Sequence, residues 1–168
     1  MSSRSGSNPR FLDLTFVQYP IESEREADLS VPTTLNRRWY DTKTMEEVFT
    51  EDGPEFDLPF SQAIKHGDTV YVSGQVPVDP DTLDIVGETV AEQTHRTMQN
   101  AAIILEAAGT SLDNVVKVTA FLDDIDDFDE FNEAYWEHVS EPYPARSAFE
   151  VSDLAIDIDI EIEVIAAL

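Results

Sequence analysis

The chain has 168 residues, enough for one domain or a small domain with an extension, and its 42% hydrophobic share is too high for a disordered polymer. No apolar run approaches the ~18 residues needed to cross a bilayer, and the lack of cysteine excludes disulfides, thiolate chemistry and Cys-ligated metal. A net charge of −25, from 35 acidic and 10 basic residues, makes a phosphate backbone an unfavourable partner, so no nucleic-acid ligand is expected.

Residues 1–9 (MSSRSGSNP) are rich in Ser, Gly and Pro and read as disordered. Phe11 to Val17 reads as a short strand and Glu22 to Leu29 as a polar helical turn, neither with a convincing apolar face. The first 44 residues hold six basic and six acidic groups. The remaining 29 acids face only Lys65, Arg96, Lys117 and Arg146, so the whole net charge sits beyond residue 44. That shift marks a boundary near Met45, between an extension (1–44) and a domain (45–168). An alternative is that translation begins at Met45. The acids are dispersed among apolar positions, which suits a solvated surface in a salt-rich cytoplasm. With no apolar leader evident, the expected location is cytoplasmic, with no membrane partner.

Beyond the boundary the signals sharpen. Residues 60–75 read as a β-hairpin about Gly67-Asp68, and Val76 to Gly87, with Pro77 and Pro80, as loop. Glu88 to Ala108 places Val90, Thr94, Thr97, Ala101, Ile104, Leu105 and Ala108 at helical spacing, and Gly109 ends it. Val115–Leu122 reads as strand. Asp124 to Val139 reads as a second helix with Ile125, Phe128, Phe131 and Tyr135 on one stripe and Asp126 and Asp127 in its first turn. Pro142 and Pro144 precede a short strand at Ala145–Val151, and Ile158–Ala166 forms the last strand. Two helices and about six strands predict an α+β domain, a single sheet with both helices on one face. The other face then needs cover, which an oligomer would provide.

Arg146 stands out chemically. It is flanked by Tyr143 and Phe149 in the basic-poor part of the chain, and a guanidinium is suited to clamp a carboxylate. A solvated surface arginine is the bland reading. Glu161 and Glu163 share a strand face; they are either a polar outer surface or include a general base, and alternation does not choose between them. Ser73-Gly74-Gln75 is either turn chemistry or a place where a ligand approaches backbone. Asn132, between Phe131 and Tyr135, fits packing or ligand contact equally. His66, His95 and His138 have no ligand spacing, so no metal site is expected. Neither Ser73 nor Ser147 has a histidine partner at motif level, so a hydrolase triad is unsupported.

Several segments in order carry a family likeness: Pro-Phe-Ser-Gln (59–62), Val-Ser-Gly-Gln-Val-Pro (72–77), Asn-Ala-Ala-Ile-Ile-Leu-Glu-Ala-Ala-Gly (100–109), Phe-Asn-Glu-Ala-Tyr (131–135), Tyr-Pro-Ala-Arg-Ser (143–147) and Ile-Glu-Ile-Glu-Val-Ile-Ala (160–166). From about Phe56 onward the chain resembles the Rid (RidA/YjgF) family of 2-imino acid deaminases. The resemblance implies a chorismate-mutase-like subunit in a homotrimer with active sites in clefts between subunits. It implies hydrolysis of reactive imines or enamines to 2-keto acids and ammonia, with no cofactor or metal. Arg146 would bind the substrate carboxylate, Glu161 would position or activate water, and Phe60, Ser73, Gly74 and Asn132 would line the cleft. Phe60 departs from the tyrosine of many deaminating members and removes a hydroxyl; Ala148 stands where some members have cysteine. The alternative is a non-catalytic trimeric keto-acid sensor.

Overall fold

A computed structural model describes residues 45–168; the readings made above for residues 1–44 lie outside the described residues. The elements are β1 (Glu46–Val48), β2 (Ala63–His66), β3 (Thr69–Gln75), α1 (Val90–Ala107), β4 (Val115–Leu122), α2 (Phe128–Trp136), β5 (Ala145–Glu150) and β6 (Ile160–Ala167). The strands form one sheet in the order β1-β2-β3-β6-β4-β5. Every pairing is antiparallel except β4 with β5.

Alternation sorts the sheet's two faces. Val70 and Val72 of β3, Val118, Ala120 and Leu122 of β4, and Ile160, Ile162, Val164 and Ala166 of β6 are buried. They meet Met98, Ile104 and Leu105 of α1 and Phe131 and Tyr135 of α2 in one core. The α+β expectation, a mixed sheet with two helices on one face, is met. The opposite face carries Tyr71, Phe121, Phe149, Glu161 and Glu163, with Tyr71 and Phe149 exposed.

Local chemistry sets the boundaries. Helix α1 starts at Thr89, whose side chain accepts from the Glu92 amide at 3.3 Å while the Glu92 carboxylate accepts from the Glu88 amide at 2.8 Å. It ends at Gly109, where φ is +85° and the Thr110 amide reaches back to the Leu105 carbonyl.

The second helix is shorter than its apolar stripe predicts. Ile125–Asp127 is a separate one-turn 3-10 helix, so Asp126 and Asp127 precede α2, and Asp129 and Glu130 occupy its first turn. After Trp136 the His138 amide bonds the Tyr135 carbonyl, a tightened three-residue turn that ends the α-helical ladder before Val139. Strand β1, too short to show a period, is an addition to the sequence reading. The last strand begins at Ile160 rather than Ile158, though Ile158 is still buried.

Candidate active site

Arg146 is the second residue of β5 and lies opposite Val118, so its side chain projects to the helix face. There its guanidinium carbon sits 4.6 Å from the Tyr135 ring centroid, 5.2 Å from Phe131 and 5.7 Å from Phe128. Its Nη2 donates to Asn132 Oδ1 at 2.7 Å. The apolar stripe along α2 is therefore also a cage for a cation, each face contributing about 0.5–2 kcal/mol depending on desolvation. Among the described residues no carboxylate pairs with Arg146; the ion pair found there joins Lys65 to Glu46. One hydrogen bond to Asn132 leaves most of the guanidinium's five N–H donors uncommitted to side chains. Burial raises the Tyr135 hydroxyl above its ordinary range, with Arg146 opposing, and this buried hydroxyl has no hydrogen-bond partner.

A cavity of about 310 Å³ opens beside this arginine. Arg146 and Asn132 form its polar part, and Tyr135, Trp136, Val139, Tyr143 and Pro144 its apolar walls.

Glu161 lies on the other face. It belongs to β6, where it lies opposite Phe121 of β4, and its carboxylate occupies the space that a side chain on Gly74 would fill. A Cβ built on Gly74 would overlap Glu161 Oε1 and lie 2.7 Å from its Cδ. The β3–β6 register shifts between Val72 and Gln75, which opens the ladder beside Ser73 and Gly74. Burial raises the Glu161 carboxyl above its ordinary value, and neighbouring Glu163 adds to the effect. Glu163 is itself exposed.

The Ser73 amide donates to the Gln62 carbonyl at 3.0 Å, and its hydroxyl to the Ser61 carbonyl at 2.7 Å. Gln62 in turn accepts from the Thr50 amide and donates to the Pro54 carbonyl, which holds the 50–62 segment against β3. Phe60 adjoins Ser61 on that segment and is 48% exposed, its ring 6.4 Å from Phe56.

The candidate residues thus fall into two groups. Arg146 and Asn132 meet on the helix face. Ser73, Gly74 and Glu161 meet on the open face, and Phe60 precedes Ser61, whose carbonyl accepts from the Ser73 hydroxyl. A single chain does not unite the groups.

Sequence spacing also missed a histidine pair: His95 Nδ1 and His138 Nε2 stand 2.8 Å apart, joining α1 to the turn after α2. Their separation of 43 positions carried no signal. Among the described residues no cluster of three or more His, Cys, Asp or Glu could hold a metal ion. No helix there is long and apolar enough to cross a membrane.

Comparison with known proteins gives a consistent picture. The family described as Endoribonuclease L-PSP matches residues 50–168. A RutC family protein of Pyrococcus abyssi is 50% identical over 121 residues, covering 72% of this chain and 95% of its own. The Reactive Intermediate Deaminase A, chloroplastic, of Arabidopsis thaliana is 42% identical over 123 residues, covering 73% of this chain and 66% of its own. The crystal structure of E. coli TdcF with bound serine superposes with a TM-score of 0.68 at 35% identity, covering 73% of this chain and 98% of that one.

Proposed function

This chain belongs to the Endoribonuclease L-PSP family, which includes the Rid (YjgF) proteins, and from that premise we propose that it hydrolyses reactive 2-imino or enamine acids to 2-keto acids and ammonia. The observation that carries the reading is Arg146: a guanidinium with no ion pair among the described residues, held by aromatic faces at a small cavity in a strongly acidic protein. A planar carboxylate matches its fork of donors. The name of the Arabidopsis relative supports a deaminase role.

The chemistry asks little of the protein. An iminium carbon is already electrophilic, so a positioned water and a weak base suffice and no cofactor is required. In our reading Arg146 holds the carboxylate and Asn132 holds Arg146. Glu161, with its carboxyl raised into a more basic range, takes a proton from water as the oxygen bonds to the imine carbon. The resulting carbinolamine collapses when the proton passes to nitrogen, ammonia leaves, and the carbonyl forms. An enamine enters the same path after protonation at carbon.

Since Arg146 and Glu161 face opposite sides of the sheet, the cleft we propose forms between subunits of a homotrimer, Arg146 coming from one and Glu161 from its neighbour. We further assign this work to residues 45–168, with 1–44 as an extension. A ribonuclease reading is disfavoured by the net charge of −25.

The test couples a 2-iminobutyrate generator to keto-acid detection. Wild type should accelerate release above spontaneous hydrolysis, and Arg146→Ala should return it to that rate. Keto-acid binding without acceleration would favour the sensor reading instead.

A further inference from the structure

We propose that the cavity beside Arg146 is a side-chain pocket that selects 2-imino acids with an aromatic or large apolar side chain over the smallest ones. This inference rests on the deaminase reading of the same site and names its substrate class. At about 310 Å³ the cavity lies at the small end of ligand pockets, which fits one amino-acid-sized molecule.

Its composition is ordered. Arg146 and Asn132 supply the polar groups, and the walls are the rings of Tyr135, Trp136, Tyr143 and Pro144 with the Val139 side chain. None of the acidic residues of this acid-rich chain lines it. The cavity therefore accepts an anionic head and an apolar tail.

The walls favour a flat tail. Trp136 and Tyr143 meet edge to face with ring centroids 6.0 Å apart. In the single chain they are 62% and 49% exposed, so both rings are open on the cavity's side to a second apolar group. A ring inserted beside them would gain edge or offset stacking and cover them. With its carboxylate on Arg146 and its ring among these side chains, a substrate would leave the imine carbon near the guanidinium, able to receive water directed by a neighbouring subunit's Glu161. A methyl or ethyl group would leave the pocket largely unfilled.

The test uses the full chain and one amino acid oxidase as generator, supplied in turn with alanine, 2-aminobutyrate, leucine and phenylalanine. The readout is the ratio of kcat/KM for the phenylalanine-derived imine to that for the alanine-derived imine. We expect a ratio above about ten in wild type, falling about tenfold in Trp136→Ala and further in Val139→Trp, which fills the cavity without removing a wall. Calorimetry of phenylpyruvate against pyruvate gives the same comparison without turnover.

Tighter, Arg146-dependent phenylpyruvate binding with no imine hydrolysis would sink the deaminase reading and keep the pocket. Imine hydrolysis with a ratio near one, or a ratio that neither variant moves, would overturn the pocket and keep the deaminase.

Discussion

Arg146 and Glu161 project from opposite faces of one sheet: Arg146 pairs with Val118 and enters the aromatic cage of α2, while Glu161 pairs with Phe121 and lies over Gly74. Each has its own support. Asn132 and three rings fix the guanidinium, and a missing side chain makes room for the carboxylate. If both act on one substrate, the other side of the sheet must be supplied by another copy of the chain.

The clearance at Gly74 gives the sharpest local prediction. Gly74→Ala would push the Glu161 carboxylate from its position, because the new Cβ would overlap Oε1. Displacement of a base by about 1 Å costs on the order of a hundredfold in rate. We expect kcat for imine hydrolysis to fall by about that factor while pyruvate affinity, set mainly at Arg146, changes far less. Steady-state kinetics with calorimetry checks the split; equal losses in both would point to general disruption instead.

The pH profile follows from the raised Glu161 carboxyl. Burial and Glu163 both favour its protonated form, so the base is lost as pH falls through a value above the ordinary glutamate pKa of about 4.3. The acid limb of kcat/KM should therefore lie above that value. Glu161→Gln should abolish the limb and reduce the rate by about 10²–10⁴. An unchanged limb in that variant would assign the titration to another group.

The His95–His138 contact links stability to pH. Burial, then the neighbouring His95, lowers the His138 pKa, with Glu137 opposing. A lowered histidine pKa means the unfolded chain binds more protons in the interval between the two values. This contribution is thus fully present above the unfolded pKa of about 6.5 and is lost as pH falls through the folded one. On going from pH 7.5 to 5.5, the advantage of wild type over His138→Gln in Tm should shrink. A gap that stays constant or widens would rule out this linkage.

Much of the frame was legible from period alone. The α1 face from Val90 to Ala108, the alternation of Ile160, Ile162 and Val164, and the Gly67-Asp68 turn each predict what the structure contains, because burial imposes those spacings. Strand β1 escaped because three residues carry no period. The end of α2 escaped because a tightened turn looks like helix in sequence. Alternation put Glu161 and Glu163 on one face of the last strand, but it could not relate that face to the one Arg146 takes on β5. Only the β4 register relates those faces and shows that they are opposite. The cation cage was visible as the stripe Phe128, Phe131, Tyr135, but nothing in the spacing said that Arg146 would fill it. Trp136 and Tyr143, which meet across a turn, were likewise separate in sequence.

The most direct measurement is complementation between inactive variants. Arg146→Ala and Glu161→Gln chains are unfolded together in equal amounts, refolded, and assayed for imine hydrolysis beside each parent refolded alone. If each cleft takes Arg146 from one subunit and Glu161 from another, random assembly restores both groups in roughly a quarter of the clefts, and activity should return to about a quarter of wild type. A mixture no more active than its parents, with mixed assemblies verified by mass, would contradict the shared cleft.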